Sequence, residues 1–317
     1  MSTILSNRVQ KVKPSATMAV SDKAKELKSQ GIQIISMGSG EPDFDTPTNI
    51  QKAAIHAIGA GETRYTPADG TAELKKAVCE KFKRENGLDY SANEVMVSCG
   101  GKQVFYNLCQ AILNEGDEVI IPSPYWVSYP DMAILADATP IFIDAGLDQD
   151  FKISPEQLEA SITSKSKLLV LNSPSNPTGS VYSKSEIEAL GVVLERHPNV
   201  FIISDDIYEH IRWGDDEFVN IAMACPKLKD RTVILNGVSK AYAMTGWRIG
   251  YAAGPEAVIK AMKKIQGQST SNPSSISQAA ALEAITGDQS FIKMMVEAFE
   301  RRHEFLVESL NAIDGIE

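Results

Sequence analysis

Short runs of apolar and β-branched residues recur along the chain, and longer amphipathic stretches separate most of them. The short runs have the length and residue types of β-strands, and many are followed by Gly, Pro, Ser or Asn, which favour turns. The predicted strands are residues 94–98, 118–121, 140–143, 168–172, 200–204, 232–235 and 249–252. The stretches with helical periodicity are residues 71–85, 102–113, 184–195 and 256–265.

This alternation of strand and helix predicts the α/β fold class, because strands joined through helices form a mostly parallel sheet covered by helices. Ligands bind such sheets beyond the carboxyl ends of the strands. Before the sheet, the sequence predicts an N-terminal arm, a helix over residues 15–29 that Gly31 ends, and a loop over residues 37–44. After the sheet, residues 290–313 predict a long amphipathic helix.

Composition narrows the class of protein. A chain of 317 residues with 43% hydrophobic and 23% charged residues is ordinary for a soluble globular protein. The net charge of −10, without a long basic run, argues against a nucleic-acid partner. We find no stretch of about 18 apolar residues and no signal-peptide pattern, so we expect neither a membrane span nor secretion. The four cysteines lack C-x-x-C spacing and are expected to be reduced and buried in a cytoplasmic protein. The four histidines lack metal-ligand spacing, so no metal is predicted.

One segment contains a lysine and an arginine among mostly apolar residues and glycines. Residues 239–250 read Ser-Lys-Ala-Tyr-Ala-Met-Thr-Gly-Trp-Arg-Ile-Gly. Burial can make a lysine amine nucleophilic toward an aldehyde, whereas arginine stays charged and binds phosphate oxygens. Lys240 and Arg248 therefore predict a cofactor that carries both groups, and pyridoxal 5′-phosphate (PLP) is such a cofactor. The alternative is an ordinary strand and loop with two solvated cations.

A glycine turn and a tryptophan add two candidate binding elements. After the predicted strand at 94–98, Gly100 and Gly101 make a turn and a helix begins, which exposes backbone N–H groups at the positive helix end. This arrangement suits an anion, although such turns also serve tight packing alone. Trp126 offers a flat surface for an aromatic ring, or is a core residue.

Two other motifs follow predicted strands. Asp205 follows the apolar run of residues 200–203 and Ser204, and Tyr208 comes three residues later. A carboxylate beside a pyridine nitrogen keeps that nitrogen protonated, so the ring can accept electrons. Residues 172–179 read Asn-Ser-Pro-Ser-Asn-Pro-Thr-Gly, a turn-forming run in which prolines favour a rigid loop around Asn176.

Together these motifs resemble class I aminotransferases, and most closely the bacterial-type aspartate aminotransferases of the aspartate/prephenate subgroup. Seven blocks match in order between residues 12 and 285. The resemblance implies the fold type I of PLP-dependent transferases: a mostly parallel sheet between helices, with a smaller α+β domain built from both chain ends. The implied domains are an arm with the first part of the small domain (1–46), a large PLP-binding domain (47–288) and the start of the C-terminal small domain (289–317).

The resemblance also implies roles for individual residues. The catalytic residues would be Lys240, which holds the cofactor covalently, Asp205 at the ring nitrogen and Tyr208 at the ring oxygen. Asp206, by contrast, is expected to be a solvated neighbour or a helix cap. The other implied cofactor ligands are Gly100, Gly101, Lys102, Trp126, Asn176, Arg248 and, from the partner subunit of a homodimer, Tyr65. The implied substrate ligands are Gly40, Trp126, Asn176, Lys102, Ser15 and Thr17, with Lys102 facing the distal carboxylate of a dicarboxylic substrate.

The activity implied is amino transfer between L-aspartate and 2-oxoglutarate, which gives oxaloacetate and L-glutamate. Prephenate or aromatic amino acids are the alternative substrates, and a PLP lyase or racemase is disfavoured because Lys102, Thr17 and Asn176 occur together. The match departs from the family in two places. Family members continue past the position of Glu317 to an arginine that binds the substrate α-carboxylate, so the chain is expected to lack a C-terminal part. Truncation leaves a non-catalytic PLP-binding remnant as a further alternative. The second departure is Gly237, where some relatives have a phosphate-binding serine.

Overall fold

A single mixed sheet forms the centre of the protein. The computed structural model describes residues 4–14, 16–35, 38, 40–214 and 217–316. Within this part of the chain the sheet has seven strands in the order β1-β7-β6-β5-β4-β2-β3. The strands are β1 (Val95–Ser98), β2 (Glu118–Ser123), β3 (Thr139–Asp144), β4 (Ser166–Asn172), β5 (Phe201–Asp205), β6 (Thr232–Gly237) and β7 (Gly250–Ala253). Only β7 runs antiparallel to its neighbours, β1 and β6, among these strands.

Helices cover both faces of the sheet. They are α1 (Asn7–Lys11), α2 (Ala16–Ser29), α3 (Thr48–Gly59), α4 (Ala72–Asn86), α5 (Gly101–Ile112), α6 (Ser128–Leu135), α7 (Pro155–Ser161), α8 (Lys184–Arg196), α9 (Ile221–Ala224), α10 (Glu256–Gly267), α11 (Ser275–Thr286) and α12 (Ser290–Asn311). Short 3₁₀ helices lie at Ala92–Glu94, Leu147–Gln149, Pro226–Arg231 and Thr245–Trp247. Among the described residues, no helix is both long and apolar enough to cross a bilayer.

Alternate residues of the strands face opposite hydrophobic clusters, as the pleat of a strand requires. In β6, Ile234 packs with residues of α3, α4 and α11, whereas Val233 and Leu235 pack with residues of α5, α6 and α10. Because both faces are covered, the central strands are apolar almost throughout, which is why they appear in the sequence as continuous runs rather than alternating ones.

The predicted fold class is confirmed. All seven predicted strands form, and α4, α5, α8 and α10 match the predicted helices to within two residues at each end. The expected burial of the cysteines is only partly right, because Cys109 alone is fully buried and Cys79, Cys99 and Cys225 are partly exposed, all four being free thiols.

The topology brings several strand ends to one edge. β2, β4, β5 and β6 run in the same direction, so their last residues lie together. β7 runs the other way, so its first residue, Gly250, pairs with Gly237 at the end of β6. The glycine turn that starts α5 follows the end of β1 at the same edge.

Candidate active site

A cavity of about 370 Å³ opens at this edge of the sheet. Its walls come from the ends of β4, β5 and β6, the start of α5, and the segments before β7 and α6. The lining residues are Gly40, Glu41, Gly101, Lys102, Trp126, Tyr129, Asn172, Asn176, Asp205, Ile207, Tyr208, Leu235, Ser239, Lys240, Thr245 and Arg248. The structure therefore brings nine predicted site residues to one cavity: Gly40, Gly101, Lys102, Trp126, Asn176, Asp205, Tyr208, Lys240 and Arg248.

Asp205 is the last residue of β5 and presents a buried carboxylate to the cavity. The Tyr129 hydroxyl donates a hydrogen bond of 2.6 Å to Asp205 Oδ2, and the Ile207 amide donates to Oδ1 at 3.3 Å. Burial raises the pKa of Asp205 to about 6, while the bonds from Tyr129 and Ile207 and the charge of Lys240 oppose that rise. Near neutral pH this group is a carboxylate that a neighbouring cation would stabilise further.

Asp206 is neither a solvated neighbour nor a helix cap, which corrects the expectation from the sequence. It is 1% exposed, and its carboxylate accepts hydrogen bonds from Ser204 Oγ at 2.7 Å and from Asn220 Nδ2 at 2.6 Å. It is absent from the cavity lining, whereas the adjacent Asp205 lines the cavity. Burial raises the pKa of Asp206 well above its ordinary value.

Lys240 follows β6 and extends its ammonium group into the cavity. Its Nζ donates a hydrogen bond to the Gly40 carbonyl oxygen and lies 5.7 Å from the centre of the Tyr208 ring. Burial lowers the pKa of Lys240, and Arg248 lowers it too, whereas Glu41 and Asp205 raise it. A lysine with a lowered pKa has more of the neutral amine that attacks a carbonyl carbon.

Asn176 and Tyr208 both line the cavity, and the Asn176 side chain acts to lower the pKa of the Tyr208 hydroxyl. Asn172, at the end of β4, holds the Asn176 loop against β5: its Oδ1 accepts from the Asn176 amide at 2.8 Å, and its Nδ2 donates to the Asp205 carbonyl oxygen at 2.9 Å. Burial first, and then Asp205, raise the pKa of Tyr208 to about 12, so its hydroxyl stays protonated at neutral pH. Two neutral hydrogen-bonding groups therefore lie at one place in the cavity.

The opposite side of the site suits an anion. The α5 helix starts at Gly101 without a side-chain cap, and Gly100 before it has φ +89°. A Cβ added to Gly100 would overlap the Arg248 guanidinium, so glycine is required for the close approach of these groups. Arg248 Nη1 donates to the Thr245 carbonyl oxygen at 2.7 Å. A guanidinium beside an uncapped helix start is the arrangement that binds phosphate.

Lys102, the second residue of α5, adds another cation to the cavity wall. Its Nζ lies 5.1 Å from the centre of the Trp126 ring. Burial lowers the pKa of Lys102, and the charge of Arg248 lowers it further. Trp126 lines the cavity and also packs edge-on against Tyr129 at 5.2 Å, so it is a wall residue rather than an enclosed core aromatic.

Among the predicted residues that the structure describes, Gly100 and Tyr65 do not line this cavity, although Gly100 lies directly before the lining residue Gly101. Tyr65 is 92% exposed and lies on a separate surface, between α3 and α4. Ser15 lies outside the described residues, as does the side chain of Thr17. Gly237 packs against β7: a Cβ there would lie 3.0 Å from Gly250 Cα, so the neighbouring backbone would have to move by a few tenths of an ångström to accept a larger residue.

Tyr129, Asn172, Glu41 and Thr245 also line the cavity and were not predicted from the sequence. Asn172 could have been identified from the sequence, because it is the first polar residue after the apolar run of β4. Asp205 has a similar position at the end of β5. No sequence pattern marks Tyr129, because its hydrogen bond to Asp205 joins residues that are far apart in the chain.

Comparisons with known proteins show the family to which the chain belongs. Residues 32–317 match the family model described as aminotransferase class I and II. An aspartate/prephenate aminotransferase of Nitrosomonas europaea is 59% identical over 98% of this chain and 79% of its own, and one of Cereibacter sphaeroides is 57% identical over 98% and 78%.

Solved structures give the same result. The aspartate aminotransferase of Rhizobium meliloti aligns with a TM-score of 0.96 and 49% identity, covering 99% of this chain and 78% of that one. The Thermus thermophilus aspartate aminotransferase with maleate aligns with a TM-score of 0.94 and 46% identity, covering 98% and 81%. The chain therefore belongs to the class I and II aminotransferase family.

Proposed function

We propose that this chain is a PLP-dependent aspartate aminotransferase that transfers the amino group of L-aspartate to 2-oxoglutarate. One observation carries the proposal: a single cavity holds the Lys240 amine, the Asp205 carboxylate and the Arg248 guanidinium. These groups match the aldehyde, the ring nitrogen and the phosphate of PLP. The names of the relatives, which include aspartate, support L-aspartate as the amino donor.

The residues present fit the cofactor. The uncapped start of α5, open because Gly100 has no side chain, and Arg248 suit the phosphate. Asn176 and Tyr208 would donate hydrogen bonds to the ring oxygen, and Trp126 would cover a ring face. When bound, PLP supplies an electron-accepting ring that stabilises negative charge at the substrate Cα.

Each residue then has a physical task. Lys240 Nζ would hold the cofactor's aldehyde group, and its free amine would move the proton between the substrate Cα and the cofactor carbon. Asp205 keeps the ring nitrogen protonated through charge pairing, and Tyr129 keeps the Asp205 carboxylate oriented. Lys102 at the cavity wall binds the distal carboxylate of aspartate, and Ser15, Thr17 and Gly40 complete the substrate site.

Prephenate is a second candidate substrate, because the relatives at 59% and 57% identity are named aspartate/prephenate aminotransferases. A carboxylate distant from the reacting carbon, which Lys102 would bind, is common to aspartate and prephenate.

We further propose a homodimer in which Tyr65 contacts the partner's cofactor phosphate. Its 92% exposure, away from the cavity of its own chain, supports this placement. The cytoplasmic location and the domain boundaries at residues 46 and 288 stay predictions.

The test is the absorption spectrum of the purified protein with PLP, before and after L-aspartate is added. We expect a visible band that aspartate converts to the spectrum of the aminated cofactor, and borohydride reduction should attach the cofactor to Lys240, as located by mass spectrometry. Lys240→Ala should abolish both results, whereas the exposed Lys76→Ala should change neither. A band that aspartate leaves unchanged would mean a cofactor-binding protein without transaminase activity.

A further inference from the structure

A buried ion pair lies behind the cavity and takes no part in lining it. Lys81, on α4, is 0% exposed, and its Nζ contacts the Glu209 carboxylate and donates to Asn86 Oδ1 at 3.0 Å. Asn86 Nδ2 in turn donates to Glu209 Oε2 at 3.0 Å. Burial alone would raise the pKa of Glu209, but the charges of Lys81 and His210 lower it below its ordinary value. Glu209 is therefore a fixed, buried carboxylate.

Glu209 joins two segments that carry site residues. It directly follows Tyr208 in the turn after β5, and its Oε1 accepts a hydrogen bond of 2.7 Å from Asn236 Nδ2. Asn236 lies in β6, and its Oδ1 accepts from the Gly237 amide at 2.7 Å. The chain then continues to Lys240. One carboxylate thus connects the turn that holds Tyr208 to the strand end that leads to Lys240.

Metal binding does not explain this cluster. Glu85, Glu209 and His210 place ligand atoms close together among the described residues. The Lys81 ammonium, however, contacts Glu209 and lies 3.4 Å from Glu85, and it already supplies the positive charge that a metal ion would bring. Stability alone does not explain it either, since buried ion pairs add little net stability relative to apolar packing.

We propose that Glu209, held by Lys81, is a positioning residue that fixes Tyr208 and Lys240 relative to each other through Asn236. This inference rests on the proposed function, because it concerns the residues assigned to the cofactor. The two side chains meet in the cavity, where Lys240 Nζ lies 5.7 Å from the Tyr208 ring centre. A small shift of either segment would therefore change how both groups contact one cofactor.

The test compares two buried asparagines that bind carboxylates of the same turn. Asn236 binds Glu209 and connects it to β6, whereas Asn220 binds Asp206 at 2.6 Å and caps the start of α9. Both are nearly inaccessible, at 1% and 2% exposure, so Asn236→Ala and Asn220→Ala should lower the melting temperature to a similar extent. Only Asn236→Ala should weaken PLP binding, by about tenfold, as expected when a hydrogen bond to a charged group is lost.

Two measurements on the full chain separate positioning from stability. The PLP dissociation constant comes from quenching of tryptophan fluorescence, since Trp126 lines the cavity, and the second is the pH midpoint of the cofactor's visible band. Only Asn236→Ala should shift that midpoint. Equal dissociation constants and midpoints for the two variants would overturn the positioning role, whereas failure of the native chain to bind PLP would overturn the proposed function instead.

If Asn236→Ala does not fold, Asn236→Ser takes its place. Serine is too short to reach Glu209 but leaves a hydroxyl near the Gly237 amide. The same loss of affinity is expected, and native affinity in this variant would refute the proposal.

Discussion

Replacing Tyr129 with phenylalanine would remove one hydrogen bond from Asp205 and leave the packing intact. The Tyr129 ring lies 5.0 Å from the Phe105 ring and 5.2 Å from the Trp126 ring, measured between centres, and phenylalanine keeps these contacts. The lost group is the hydroxyl that donates to Asp205 Oδ2 at 2.6 Å. The remaining bond, from the Ile207 amide, is longer at 3.3 Å and cannot compensate.

The size of the effect follows from this geometry. A hydrogen bond to a charged group contributes about 1.5–3 kcal/mol, so the acid dissociation constant of Asp205 should fall by about tenfold to hundredfold. The pKa of Asp205 would then rise from about 6 to neutral pH or above. The native group is mostly ionised at neutral pH, whereas the variant group would be largely protonated and could not pair with a protonated ring nitrogen.

The assay is the PLP dissociation constant as a function of pH, between about pH 5.5 and 9. Affinity should rise with pH as Asp205 ionises, and Tyr129→Phe should move that rise to higher pH while leaving affinity at the alkaline end nearly native. Tyr182→Phe is the matched control, because Tyr182 is also buried and hydrogen-bonded, accepting from the Ile153 amide at 2.8 Å, yet lies outside the cavity. A loss of affinity that is the same at every pH would refute this account of Tyr129.

Three other changes test separate parts of the structure. Lys102→Ala should raise KM for aspartate by about tenfold or more while changing an aromatic substrate far less, and equal losses in steady-state kinetics would contradict its role. Gly100→Ala should weaken PLP binding, because the added Cβ would overlap Arg248 and the residue has φ +89°. Gly246→Ala is the control and should bind PLP normally, because an added Cβ there meets open space. Titration with PLP gives the dissociation constant of each variant. Burial would raise the pKa of Glu85, but a hydrogen-bonded histidine and a buried lysine lower it to about 2. The ionised Glu85 therefore stabilises the fold fully above the pKa that it has in the unfolded chain, and this stabilisation is lost as the pH falls toward 2. Glu85→Gln should therefore cost about 3 kcal/mol in urea unfolding at neutral pH, and a difference that does not shrink in acid would refute this.

The sequence predicted the sheet well because its central strands are covered on both faces. Buried strands such as β4 and β5 leave continuous apolar runs, and polar residues mark their ends, which is why Asp205 could be placed at a strand exit. The short helices α6 and α7 were not predicted, since their few turns give little periodicity.

Side-chain direction behind the site could not be predicted in the same way. Asp205 and Asp206 look equivalent in the sequence, yet one lines the cavity and the other binds Ser204 and Asn220. The partners of these carboxylates lie on other elements, so only the folded chain shows them. For the same reason, the role of Tyr65 at a partner subunit stays a prediction from family resemblance.

The reversed direction of β7 has a consequence for how this protein could change length during evolution. Because β6 ends at the cavity edge and β7 begins there, the connection between them carries both Lys240 and Arg248, and its length sets the distance between these two groups. The connection is fixed along its length, because its residues Tyr242, Met244 and Ile249 are fully buried. An inserted or deleted residue here would alter the spacing of the two groups directly, whereas surface loops between parallel strands could vary in length without moving either one.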